Sequence, residues 1–140
     1  MKRILLQLFV SLAIIFGIAN CSSKGGGGGG GGGATEANLV VTLNPPANSV
    51  QPAAPQAEFP LTVSVTSTMP PQGVTIDVKV APDGSSTNFF TDSKSTTSAN
   101  TNFNITGTPV GVVCVVTVTV TSKTKATNTV TLSYRYSRKP

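Results

Sequence analysis

Cys21 and Cys114 are the only cysteines of the chain, and histidine is absent. Without an imidazole the Ser-His-Asp and Cys-His arrangements fall away, together with the commonest general base and most zinc sites. Asp77 lies mid-strand on the outer side of an apolar alternation, Asp83 in a Pro-Asp-Gly turn, Asp92 in a loop and Glu58 just ahead of Phe59-Pro60. No two of these acids share a local motif that would set their carboxyl groups at glycosidase separation. Asp83-Gly84-Ser85-Ser86 lacks the repeated acids and the bidentate Glu of a calcium loop and reads as a polar turn. The glycine run from Gly25 to Gly33 is no phosphate cradle, because no strand precedes it and no Gly-Lys-Ser/Thr follows. The expectation is a chain with no catalytic residue, no metal ligand and no cofactor.

The chemistry that remains belongs to Cys21, and the residues before it say what kind. Lys2 and Arg3 form a positive start, and Ile4 to Ile18 is an apolar stretch interrupted only by Gln7 and Ser11. A spanning helix needs about 20 apolar residues, so this stretch has the length of a signal-peptide core. Ile18-Ala19-Asn20-Cys21 follows it, with Ser22-Ser23 after. These four residues resemble the lipobox of bacterial lipoproteins, with Asn20 where a small residue is usual. The resemblance implies that residues 1–20 are removed, that the Cys21 thiol carries a diacylglycerol, and that the new amino terminus is a site for a further acyl chain. Two or three acyl chains at one position give stable membrane anchoring. Ser22 in place of Asp implies, by resemblance to sorted lipoproteins, a cell-envelope location at the outer membrane of a two-membrane cell.

Residues 22–37 read as a tether. The glycine run has no side chains to bury and the largest backbone entropy to lose, so composition predicts that it stays disordered. At that length and composition the root-mean-square span is roughly 22 Å, and the fully stretched reach is about 55 Å.

From residue 38 to 140 apolar residues alternate with a period of two, the pattern of half-buried strands. The inward positions are Leu39, Val41 and Leu43, then Leu61, Val63 and Val65, then Val74, Ile76, Val78 and Val80. Phe89-Phe90 marks a shorter strand in which one ring points inward, and Phe103 with Ile105 marks another. Val112, Cys114, Val116, Val118 and Val120 form the longest run, with Thr117, Thr119 and Thr121 outward. Val130, Leu132, Tyr134 and Tyr136 close the series. Turn residues at Asn44-Pro45-Pro46, Met69 to Gly73, Pro82-Asp83-Gly84 and Gly107 to Gly111 separate these runs, and Ser93 to Asn102 reads as a surface loop. About seven strands rich in Val and Thr predict an all-β chain folded as a single antiparallel two-sheet sandwich. On this neighbourhood Cys114 reads as a small buried hydrophobe.

The strand series resembles bacterial immunoglobulin-like and fibronectin type III-like domains. The most particular stretch, Ile105-Thr106-Gly107-Thr108-Pro109 leading into Val112 to Thr121, is similar to the E–F corner and F strand of such domains. Val112 stands where an antibody-type domain places a tyrosine two residues before its cysteine, and tryptophan is absent. The likeness is therefore one of architecture.

The net charge of +5 is spread thinly. Lys2, Arg3 and Lys24 lie outside the domain, and Arg135, Arg138 and Lys139 crowd its end. That is not the basic stripe with stacking aromatics that nucleic acid requires. The expected function is a non-catalytic, tethered interaction or accessory module of the cell envelope, meeting the membrane through the Cys21 lipid and an envelope protein of unknown identity. The alternative is a glycan- or host-ligand-binding surface module, using aromatics drawn from Phe59, Phe89, Phe90, Phe103, Tyr134 and Tyr136. Sheet faces covered by Thr, Ser, Lys and Asp suit water, so a partner is expected at the loops. Candidate binding residues are Met69, Pro70, Pro71 and Gln72 between the second and third strands, and Lys123 and Lys125 between the last two. In this topology both connections leave the sandwich at one end.

Overall fold

The computed structural model describes residues 35–140. The signal segment 1–20, Cys21 and the glycine run lie outside the described residues. The rest forms seven strands: β1 (Val41–Asn44), β2 (Phe59–Val65), β3 (Val74–Pro82), β4 (Phe90–Thr96), β5 (Asn100–Ile105), β6 (Val113–Ser122) and β7 (Thr129–Ser137). Val and Ile prefer extended backbone because two branches at Cβ stiffen χ1, and alternation puts one such branch on each inward position. In β3 Val74, Ile76, Val78 and Val80 are fully buried, as are Val116, Val118 and Val120 of β6.

All strand pairs are antiparallel and fall in two sheets, β1-β2-β5 and β4-β3-β6-β7. The inner faces share one apolar core, in which Leu61, Val63, Phe103 and Ile105 of the smaller sheet meet the valines of the larger. This is an antiparallel two-sheet β-sandwich, and in the lettering used for immunoglobulin domains its strand order reads A-B-E against C′-C-F-G. The fourth strand pairs with the third, whereas a constant-type domain keeps its fourth strand in the sheet with A, B and E.

Three details differ from the sequence reading. Ser93 to Asn102, expected as a loop, is mostly strand: the end of β4 in the larger sheet, a short turn, and the start of β5 in the smaller. Strand β4 is an edge whose inward positions include Asp92 and Lys94, so it lacks the apolar alternation and is held by backbone pairing to β3. Lys94 turns its ammonium to the Asn102 carbonyl oxygen at 2.8 Å and lies 4.5 Å from the centre of the Phe103 ring. Second, Val112 does not join the buried face of β6 and is 36% exposed. The chain is still turning there, with Gly111 at φ +73° and its N–H donating to the Arg138 carbonyl. Third, Phe89 and Phe90 are both half-buried against the core, rather than one in and one out.

The long connection from β1 to β2 has a structural task. It leaves β1 at a cis Asn44–Pro45 bond and runs beside β7 in parallel, with Asn48, Gln51 and Ala54 donating N–H groups to the carbonyls of Ser133, Arg135 and Ser137. An edge strand with free N–H and C=O groups is a template for aggregation, and this segment covers one side of the larger sheet.

Candidate functional site

The alternating strand directions sort the loops onto two poles. Residues 35–40, the β2–β3 connection (66–73) and the β6–β7 connection (123–128) share one pole. The 45–58 segment, the β3–β4 and β5–β6 connections and the C-terminus share the other. The Gln72 N–H reaches Thr124 Oγ1 at 3.4 Å, and the Lys123 N–H donates to the Gly73 carbonyl at 3.0 Å. Met69 to Gln72 and Lys123 to Lys125 are therefore brought together, as expected from topology.

Their exposures differ from one another. Pro70 is buried, and Met69 is half-buried against the core, so the thioether is part of the packing rather than a free apolar contact. Pro71, Gln72, Lys123 and Lys125 are exposed. The proline pair bends the connection into a turn closed by the Gly73 N–H on the Pro70 carbonyl at 2.8 Å. Gly73 has φ +78°, and a Cβ there would collide with the Thr96 carbonyl. Between this turn and the incoming chain lies an apolar groove of about 320 Å³, lined by Thr35, Glu36, Ala37, Met69, Pro71 and Thr124 among others.

The residue that organises this pole is Asn128, which no pattern in the sequence singles out. Its Oδ1 accepts the Leu39 N–H at 2.9 Å. Its Nδ2 donates to Glu36 Oε1 at 2.5 Å and to the Ala37 carbonyl at 2.9 Å. Glu36 and Ala37, which composition assigns to the tether, are thereby held on the β6–β7 connection. The signal available in sequence was a lone Asn in a Thr-rich hairpin, with nothing to indicate a partner some 90 positions earlier.

The opposite pole holds a smaller groove of about 160 Å³ floored by Phe59, Tyr134 and Tyr136 and walled by Pro45, Pro52 and Pro60. Its aromatic rings pack on one another, with the Phe59 and Tyr136 centroids 4.5 Å apart. The Tyr136 and Thr108 hydroxyls lie 2.7 Å apart, tying β7 to the β5–β6 corner. Burial pushes the Tyr136 phenol up to about 12, the Thr108 hydrogen bond works against that rise, and Cys114 adds to it. Burial likewise raises Tyr134, with the neighbouring Tyr136 adding to the shift. Cys114 is fully buried and its thiol is raised by the same desolvation.

Asp77 and Asp92, on adjacent rungs of the β3–β4 pair, line one shallow groove with Lys79, and the other acids stand apart. Glu58 accepts from Asn104 Nδ2 at 2.7 Å, Asp83 pairs with Arg135 at 3.0 Å, and Asp92 lies 3.8 Å from Lys94. Among the described residues no three of His, Cys, Asp and Glu gather into a metal-binding group. Compared with protein-family models, curated proteins and solved structures, the chain matches none.

Proposed function

We propose that the chain is a non-catalytic, lipid-anchored module of the cell envelope, in which the sandwich serves as an interaction or accessory domain on a tether from Cys21. The observation that carries this reading is the join between the two parts. A stretch that resembles a lipobox and a glycine run lead to Glu36 and Ala37, and Asn128 fastens those residues to the sandwich. A domain built only to fill space on its own chain needs no such spacer, whereas an anchored one needs reach beyond the headgroups.

Two further features support the non-catalytic part. Glu58, Asp83 and Asp92 each take a neighbouring polar or basic partner, and the one groove that two carboxylates line, Asp77 and Asp92, is a shallow one that Lys79 also lines. The exposed basic residues are scattered, with Lys123 and Lys125 at one pole, Arg135 and Lys139 toward the other, and Lys79 and Lys94 on the strands between, which disfavours a nucleic-acid track. The aromatic side chains that a sugar platform would need are buried or half-buried, so the interaction reading is preferred over the glycan one.

The test is Cys21→Ala in the native host. The expected result is loss of palmitate labelling, with the domain released from membranes or left as uncleaved precursor. Unchanged labelling and membrane retention in that variant contradict the reading.

A further inference from the structure

The place where the chain joins the sandwich gives the domain a direction. Thr35, Glu36 and Ala37 line the groove beside Met69, Pro71 and Thr124, and Lys123 and Lys125 flank Thr124 on the surface. The single acid at this pole, Glu36, is turned inward: Oε1 is bonded to Asn128, and Oε2 is buried with no partner. The face presented outward is therefore basic at its edge, apolar at its centre, and next to the tether.

We propose that this pole lies against the acidic phospholipid headgroups of the bilayer that holds the Cys21 lipid, so that the opposite pole points away from the membrane. The inference rests on the lipid-anchor reading. The tether begins at the bilayer and ends at the rim of this groove, which brings Lys123 and Lys125 to the headgroups without crossing the domain. Arg138 and Lys139 sit at the far end of β7, a strand of nine residues. At strand rise that is about 30 Å further off, longer than the roughly 22 Å expected of the tether. Bringing that pole down requires a stretched tether, so position selects between two poles that both carry basic groups. Each lysine near an acidic membrane surface shifts such an equilibrium about fivefold, and exposed Pro71 adds an apolar contact at the same level.

The experiment uses the full lipidated protein, purified from membranes and placed in vesicles of either phosphatidylethanolamine with phosphatidylglycerol or phosphatidylcholine alone. A fluorophore is attached through Ala126→Cys at the tethered pole or Ser85→Cys at the other, with Cys114 left buried, and is quenched by spin-labelled headgroups. Flotation reports the anchor separately. The expected result is flotation in both lipids, stronger quenching at 126 than at 85 with phosphatidylglycerol, and a fall of up to about twenty-fivefold in that preference on replacing Lys123 and Lys125 by Ser. Equal quenching at both positions overturns the inference while leaving the anchor intact. A preference that persists unchanged in phosphatidylcholine and in the double variant overturns it as well. A protein that does not float overturns both readings.

Discussion

Asn128 spends its side-chain oxygen and nitrogen on three partners, Leu39, Glu36 and Ala37, and is itself buried. Removing the amide leaves the Leu39 N–H without an acceptor, and an unsatisfied buried donor costs about 1–3 kcal/mol. Asn128→Ala is therefore expected to lower the unfolding free energy read from urea titration by that amount, while exposed Lys125→Ala changes it by less than about 0.5 kcal/mol. The tyrosines give a second residue-scale expectation. An ordinary phenol ionises near 10, whereas Tyr136 is pushed up to about 12 and Tyr134 is raised too. Below about pH 10 both folded and unfolded chains keep these protons, so the contribution is fully present. Above it the unfolded chain releases protons that the folded chain retains, and stability falls as pH rises toward about 12. Melting temperature is expected to be insensitive to these groups up to pH 9 and to drop above 10, with phenolate absorbance rising together with unfolding. Phenolate appearing near 10 in a folded domain contradicts the burial.

At the scale of elements, the β2–β3 connection depends on one glycine more than the β3–β4 connection does. Gly73 and Gly84 have similar positive φ, +78° and +81°, but a Cβ at 73 meets the Thr96 carbonyl and one at 84 meets nothing. Ala at a positive φ costs about 1 kcal/mol from backbone conformation, so Gly84→Ala measures that cost and Gly73→Ala adds a steric one. Thermal melts are expected to place Gly73→Ala well below Gly84→Ala, and equal melts contradict the close approach of the two loops. Much of the element layout was legible in the sequence because β3, β6 and β7 bury alternate residues of a Val-rich chain. Strand β4 was hidden because an edge strand is held by backbone bonds and its inward positions are polar. The segment from Asn48 to Ala54 was hidden for a related reason: it pairs with β7 through N–H and C=O groups, which every residue but proline offers alike. The candidate loops were placed at one pole correctly, yet their side-chain exposure was not readable. Whether Met69 faces water depends on how the Pro70-Pro71 bend tips it toward the core.

At the scale of the whole molecule, the sandwich supplies a compact body whose two poles differ. One receives the chain from the N-terminal side and carries Pro71, Lys123 and Lys125; the other carries the tyrosine-floored groove and exposed Val110, Val112 and Val113. Such a body acquires a function from where it is held, because its fold is shared by many unrelated activities. The proposed anchor is covalent, at Cys21, and is read out by the intact mass of the protein extracted from cell membranes. The expected species starts at Cys21 and carries the mass of a diacylglyceryl group, with or without an added amide-linked acyl chain. A chain that retains residues 1–20 with an unmodified Cys21 thiol contradicts it.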